Sequence, residues 1–184
     1  MNAHARCALV LALLALAGPA AADSPPASPY AGFERRPIKA LSDDQLADLR
    51  DGRGMMLSLP AELNGYPGPR HMLDMADALH LSAEQRAAVA ALVPAMTAEA
   101  KAVGARIIEG ETALNRLFAH RGADEVEVRQ AANEVAARWG ELRFVHLKYH
   151  LRAAALLSPD QIARYDALRG YAGGDGATMH QHKH

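Results

Sequence analysis

The sequence predicts an all-α protein organised around one long antiparallel helical hairpin, over residues 82–157. Apolar or small residues recur there at alternating steps of three and four, which keeps them on one face of a helix, whereas a strand would require steps of two. Such a seam needs a partner helix, and Arg121-Gly122-Ala123 is the predicted turn between the two. The first seam consists of Val89, Val93, Met96, Ala100, Val103, Ile107, Gly110, Leu114 and Leu117. The second consists of Val128, Ala132, Val135, Trp139, Leu142, His146, Tyr149, Ala153 and Leu156.

A repeated pentapeptide, Leu-Ser-x-x-Gln, marks the predicted helix starts. Its serine can accept a hydrogen bond from the glutamine backbone three residues on, and the glutamine side chain can return a bond to the serine N–H, which is a capping box. In the last copy Pro159 stands at the first helical position, where proline is favoured. The motif residues are Leu41, Ser42, Gln45, Leu81, Ser82, Gln85, Leu157, Ser158 and Gln161.

Between the first two motif copies, glycine and proline predict short and broken helices. A helix from Ser42 should run toward Gly52, resume through Met55–Leu59 and meet Pro60. A turn cluster follows at residues 64–69, and a short helix is expected over Arg70–His80.

The N-terminus has the pattern of a secretory signal peptide over residues 1–22. Arg6 precedes the apolar run Ala8–Ala17, and Ala20-Ala21-Ala22 is a small-residue cleavage site. We therefore expect a periplasmic protein cleaved near Ala22, without cysteine in its mature part; a retained N-terminal anchor is the alternative. Residues 23–40 are expected to be a disordered lead, residues 41–171 the helical domain, and residues 172–184 a disordered tail.

Charge argues against nucleic acid as a partner. Removal of residues 1–22 leaves 19 basic and 21 acidic side chains, a net charge of −2. Arginine offers a stacking plane and a fork of donors, so arginines on the hairpin are candidates for contact with varied clients. An ordinary solvated surface is the alternative for each of them. The candidates are Arg106, Arg116, Arg129, Arg138, Arg143 and Arg152.

Histidine spacing suggests a metal site. His146 and His150 are four residues apart on one predicted helix, so both rings can reach one Zn, Cu, Ni or Co ion. His71 and Met75 have the same spacing. The tail adds His180, His182 and His184 as weak candidate ligands. The alternatives are a hydrogen-bonded core histidine at position 146, methionine used as packing, and a tail that is merely disordered.

Motifs of common enzymes are not found in this sequence. It has no glycine-rich phosphate loop, no Gly-x-Ser-x-Gly and no His-Glu-x-x-His. We therefore predict no catalytic residues, and binding as the function.

The repeated Leu-Ser-x-x-Gln, with copies at both ends of a long hairpin, resembles the LTxxQ motif of the Spy/CpxP family over roughly residues 40–171. The resemblance implies an all-helical periplasmic protein, usually a homodimer shaped as a curved cradle. Members include stress chaperones, zinc-resistance-associated proteins and cobalt–nickel sensors. Those sensors take ligands from a His-x-x-x-His pair on an early helix and a His-x-x-x-Met pair on the last long helix; here the two pairs are exchanged.

The expected function is that of an ATP-independent stress chaperone for unfolded periplasmic proteins, possessing a metal-responsive side but requiring no cofactor. One alternative is a heavy-metal sensor or resistance protein that signals through a membrane-bound partner. Another is a non-catalytic helical interaction module.

Overall fold

The computed structural model describes residues 28–171, and within that range it contains helices and no strand. The predicted signal peptide and the tail, with His180, His182 and His184, lie outside the described residues. The elements are a 3-10 turn at Phe33–Arg35 and the helices α1 Asp43–Asp51, α2 Leu59–Glu62, α3 Pro69–Asp74, α4 Ala83–Ala119, α5 Glu125–Ala154 and α6 Pro159–Leu168.

Helices α4 and α5 form the predicted antiparallel hairpin. Polar contacts between them pair Glu99 with Lys148 and Arg106 with Glu141, in opposite chain order. Most of the residues buried on these helices fall on the two predicted seams, which confirms their register. Those on the seams are Val89, Met96, Ala100, Val103, Ile107 and Gly110 on α4, and Val135, Leu142, His146, Tyr149 and Ala153 on α5. Gly104, Val145, His150 and Ala154 are buried beside the seams.

Burial ends where other elements stop covering the hairpin. No residue between Glu111 and Glu134 is buried, because that stretch is only two helices thick. Trp139, at the edge of the covered part, is half-buried and donates from Nε1 to Glu111 Oε1 at 3.4 Å. We call residues 111–134 the distal arm.

Helix α1 packs across the covered part of the hairpin and forms the main core with it. Leu46 and Leu49 are buried in one cluster with residues of α4 and α5. The close approach depends on Gly104, since a Cβ there would stand 2.3 Å from the Leu49 carbonyl oxygen. Gly52 ends α1 in the left-handed conformation, with φ 68°.

A second core lies at the base of the hairpin, which is formed by the start of α4 and the end of α5, and α3 and α6 pack there. Its buried members are Met72, Ala76, Leu79, Leu81, Val89, Ala153 and Tyr165. Helices α3 and α6 are thereby packed against the hairpin.

All three predicted capping boxes are present. Ser42, Ser82 and Ser158 each accept from the backbone three residues on, at 3.1–3.2 Å. The matching glutamine side chains accept from the serine N–H groups at 2.9–3.0 Å. Asp124 caps α5 by accepting from two backbone N–H groups.

The structure describes residues 28–40, the second part of the predicted lead. Ile38 there is 6% exposed and belongs to the main core, while most of its neighbours in this segment are exposed. Residues 23–27 lie outside the described part.

Two predicted short helices have different bounds. The segment before Leu59 is a turn, with φ 45° at Met55 and 59° at Met56, and Pro60 lies in the first turn of α2, where no N–H is needed. The expected helix Arg70–His80 ends at Asp74. The chain then turns, with φ 51° at His80, so that the residues on either side of His80 can be buried.

Candidate functional site

A cavity of about 660 Å³ lies between the segment after α1, the start of α3 and the hairpin. His71, His146 and His150 all line it, so the structure brings three of the predicted metal ligands to one space. Its other charged lining residues are Asp51, Arg53, Arg70 and Lys101.

His150 is held in one orientation. Its side chain is buried, 6% exposed, and Nδ1 lies 2.7 Å from the Tyr66 carbonyl oxygen. A neutral imidazole must donate from Nδ1 to make that bond, which leaves the Nε2 lone pair free, as in orientated metal ligands. Gly68 keeps this nitrogen uncovered, because a Cβ at that position would stand 3.3 Å from Nε2.

His146 is buried too, 3% exposed, and its Nε2 has no hydrogen-bond partner in the described part of the chain. Burial, and secondly the charge that His150 can carry, lower the pKa of His146 below its ordinary 6.5, while a hydrogen bond to the Arg53 backbone opposes the shift. A lowered pKa keeps the ring neutral at physiological pH, which is the form that binds metal.

The methionine that lines the cavity with the three histidines is Met96, from the α4 seam, and not the predicted Met75. Met75 packs in the second core and does not line the cavity. Met55 and Met56 instead line a smaller cavity of about 270 Å³ that shares His71 and His150 with the larger one. Sequence spacing gave no indication of this, because the two methionines reach the site through a turn with positive φ.

Sequence reasoning also missed a buried carboxylate, Glu62. Its Oε1 accepts from Tyr165 at 2.5 Å and from Tyr171 at 3.1 Å, and its Oε2 accepts from the Gly68 N–H at 3.1 Å. Arg169 Nε lies 3.4 Å from Oε1, and His150 Nδ1 lies 3.8 Å from Oε2. Both carboxylate oxygens are therefore engaged by protein donors and tie α2 to α6 and to the histidine cavity.

The donor chemistry fits a transition-metal ion, but the protein does not supply a full ligand set. Among residues 28–171 no three His, Cys, Asp or Glu side chains are close enough to hold an ion by themselves. Two imidazoles, one with an orphaned buried nitrogen and the other beside a glycine cradle, suit Zn, Cu, Ni or Co. Further ligands would have to come from His71, from a methionine or from outside the chain.

The six predicted client-binding arginines do not form one cluster. Arg138 is structural, since its guanidinium donates to the Arg106 carbonyl at 2.8 Å and fills the space beside Gly110. Arg106 pairs with Glu141, and Arg129 with Glu125, each at 2.6 Å.

The other three arginines have exposed guanidinium groups along the hairpin. Arg152 lies 5.0 Å from the Tyr149 ring centroid. Arg116 and Arg143 have no carboxylate within 4 Å among the described residues.

Large apolar side chains lie exposed near these arginines. Phe144 is 60% exposed and Leu151 54% exposed, two turns apart on the outer face of α5. Phe118 and Val126 are likewise exposed at the hairpin tip. Helix α4 is also long and apolar enough to meet the criterion for a membrane span, which core helices of other proteins meet too, and 28% of its apolar window is buried.

Comparison with known proteins gives one family. A family model described as LTXXQ motif family protein matches residues 68–169, more than half of the chain. This range includes the second and third motif copies and excludes Leu41–Gln45. No curated protein and no solved structure matches the chain.

Proposed function

Because the chain belongs to the LTXXQ motif family, whose members are typically periplasmic, we propose that it is a periplasmic, ATP-independent chaperone of the Spy/CpxP type. The observation that supports this most is the exposed outer face of α5. Phe144 and Leu151 are 60% and 54% exposed there, the neighbouring residues Arg143 and Arg152 are exposed, and Lys148 Nζ lies 5.8 Å from the Phe144 ring centroid.

Apolar and cationic groups side by side suit an unfolded chain as partner. Unfolded segments expose apolar side chains, and burying one side chain such as Leu or Phe is worth about 1.5–3 kcal/mol. Arginine adds contacts to carboxylates, backbone carbonyls and aromatic rings without a fixed partner sequence. Two isolated apolar anchors bind weakly, which lets a client leave without an energy source.

The test is suppression of client aggregation without nucleotide. A chemically unfolded client is diluted into the purified protein, and light scattering is followed. The wild type should suppress aggregation at a few-fold molar excess. The double variant Phe144→Ser and Leu151→Ser should need about tenfold more protein, given the apolar contact that it loses.

A matched control removes as much exposed apolar surface elsewhere. Leu63 and Leu168 are 55% and 49% exposed, outside the hairpin, and their replacement by serine should leave suppression unchanged. Equal loss in both double variants would mean that general surface hydrophobicity, and not the α5 face, is responsible. A wild type that suppresses no aggregation of several clients would contradict the chaperone proposal.

A second candidate, a heavy-metal sensor that signals through a membrane partner, is favoured by the histidine cavity. His146 and His150 are both buried, and the bond between His150 Nδ1 and the Tyr66 carbonyl fixes the orientation of that ring, as in metal-ligating histidines. Calorimetric titration with Zn²⁺ tests it, and saturable binding should be lost when both histidines are replaced by alanine. Chaperone activity and metal binding are compatible, since they use different surfaces of the hairpin.

A further inference from the structure

The histidine cavity carries an excess of positive charge. Its lining contains three cationic side chains, Arg53, Arg70 and Lys101, and one acidic side chain, Asp51. Arg53 is already paired, since it lies 2.7 Å from Asp51 and 2.9 Å from Asp48. Arg70 and Lys101 have no carboxylate within 4 Å in the described part of the chain. Two cations of the lining are therefore left for an anion from outside, which a cleft of one charge sign attracts.

The cavity is large enough for an organic molecule. Its volume of about 660 Å³ lies within the range of small-molecule sites, about 300–1,000 Å³. An inorganic phosphate ion would fill only a small part of that space. An anion that fills it needs a carbon skeleton, for which Met96 and Pro69 supply apolar parts of the wall.

His150 offers a hydrogen-bond acceptor on the same wall. Its Nδ1 lies 2.7 Å from the Tyr66 carbonyl oxygen, so a neutral ring donates there and accepts at Nε2. Nε2 has no partner among residues 28–171 and reaches the solvent, whereas Nε2 of His146 is enclosed. Gly68 leaves it uncovered: φ −76° and ψ 138° are open to any residue, but a Cβ there would stand 3.3 Å from Nε2. A ligand in the cavity can therefore donate a hydrogen bond to His150.

We propose that the cavity binds a small hydroxy acid with at least two carboxylates, such as malate or citrate. Its carboxylates pair with Arg70 and Lys101 through charge-assisted hydrogen bonds, and its hydroxyl group donates to His150 Nε2. A hydroxyl suits this role better than an ammonium group, because an ammonium would add positive charge beside two unpaired cations. The inference goes beyond the proposed chaperone function and needs no metal ion.

Isothermal titration calorimetry tests the proposal, in low-salt chloride buffer freed of metal ions by a chelating resin. At least one of D-malate, L-malate and citrate should bind saturably to the wild type. Succinate and tricarballylate lack only the hydroxyl, and each should bind about tenfold more weakly than its counterpart, because His150 Nε2 is then left without a partner. These ligand pairs test the His150 contact without changing a buried side chain. Ser58→Ala removes the hydroxyl of a serine in the lining and should leave the preference unchanged.

Charge variants test the two cations. Arg70 and Lys101 are exposed, so Arg70→Gln with Lys101→Gln should fold, and binding should fall at least tenfold. The matched control, Arg116→Gln with Arg164→Gln, removes the same charge from exposed arginines that do not line the cavity, and it should bind as the wild type does. Circular dichroism verifies that each variant is folded, and single variants replace a double one that is not.

Several results would overturn the proposal. The wild type could bind none of the three hydroxy acids, or the Arg70 and Lys101 variant could bind them as well as its control does. Succinate, tricarballylate or inorganic phosphate could bind as tightly as the hydroxy acids, which would show an unselective anion site. Binding that appears only after Zn²⁺ is added would mean that a metal ion holds the carboxylates. None of these results bears on suppression of client aggregation, so the chaperone proposal is tested separately.

Discussion

Gln85 and Gln161 form a reciprocal amide pair. Gln85 donates from Nε2 to Gln161 Oε1 at 2.9 Å, and Gln161 donates back to Gln85 Oε1 at 3.1 Å. Gln85 Nε2 also donates to the Leu156 carbonyl at 2.7 Å. The second and third motif copies are thus joined across the base of the hairpin, which explains why glutamine, with one donor and one acceptor group, stands at both positions.

The pair predicts that Gln85→Glu destabilises the fold. Glutamate would keep the capping box, but it would place a carboxylate against the Leu156 carbonyl and Gln161 Oε1 without a proton to donate. Loss of these bonds with two acceptors left facing each other should lower the free energy of unfolding by about 1–3 kcal/mol. Urea unfolding followed by circular dichroism measures the change.

The first motif copy supplies the control. Gln45 is exposed and makes the capping box with Ser42 without a second glutamine. Gln45→Glu should therefore be neutral or slightly stabilising, since a negative charge in the first helical turn is favourable. Equal losses at both positions would mean that the amide pair contributes nothing beyond the cap.

Gly104 is predicted to be irreplaceable for a packing reason. A Cβ there would lie 2.3 Å from the Leu49 carbonyl oxygen, so Gly104→Ala must push α1 off the hairpin. We expect a loss of about 1–3 kcal/mol in unfolding free energy, despite alanine's better helix propensity. Thermal melts of the wild type and of Gly104→Ala measure this loss.

Gly140 is the matched control, because it lies in the middle of α5 and an added Cβ there would meet no neighbouring element of the described chain within 4 Å. There the same change should stabilise the protein by about 0.5–1 kcal/mol. A stabilising Gly104→Ala would show that α1 does not pack as closely as the structure has it.

Features that depend on residues close together in sequence were predictable. The seams could be predicted because the residues buried on one face of a helix recur with the helical period. The caps could be predicted because each joins residues three apart in sequence. Trp139 lies on the predicted seam but is only half-buried, since α1 covers the hairpin incompletely there. Periodicity identifies a face and cannot tell how much of it a third element covers.

The candidate site was predictable only in part, because its remaining contacts join distant residues. His146 and His150 were found by their helical spacing. Glu62 lies on a four-residue helix without periodic pattern, and its partner Tyr165 is 103 positions away. Met75 was predicted as a ligand because its spacing from His71 would place both side chains on one face of a helix. However, α3 ends at Asp74, and Met75 packs in the second core.

Dimerisation remains a prediction. Only 28% of the apolar window of α4 is buried in one chain, and no residue of the distal arm, residues 111–134, is buried. A second copy could cover these apolar surfaces, so we expect a homodimer at micromolar concentration by analytical ultracentrifugation. A pure monomer at that concentration would contradict this prediction.

Metal should stabilise the fold through the cavity. A ligand that binds only the folded state raises the melting temperature by mass action, so Zn²⁺ should raise it in scanning calorimetry. Replacing His146 and His150 with alanine should abolish the rise, while deletion of residues 179–184 should remove only weak binding. If the deletion abolishes the rise and the double variant keeps it, the tail and not the cavity is the metal site.

The pH dependence of the metal-free protein tests whether His146 is as buried as the structure has it. In the folded state its pKa lies below 6.5, its ordinary value, chiefly because burial disfavours the charged ring. As pH falls below about 6.5, the unfolded chain therefore takes up a proton that the folded chain does not. The free energy of unfolding should fall from there, with a slope of at most about 1.4 kcal/mol per pH unit, until pH reaches the lower folded pKa.

Several charged groups act on this ring. His150, one turn away on α5, opposes a positive charge on the His146 ring, while a hydrogen bond to the Arg53 backbone favours it. Asp51, Arg53, Arg70 and Lys101 also line the cavity. His146→Gln cannot take up the proton, so its urea midpoint should fall less than that of the wild type between pH 7.5 and pH 5, measured in the presence of a chelator. His120→Gln alters an exposed ring at the end of α4 and should retain the wild-type slope. Identical slopes for wild type and His146→Gln would show that the His146 ring is accessible to protons in the folded state, and the cavity would then lack its buried neutral donor.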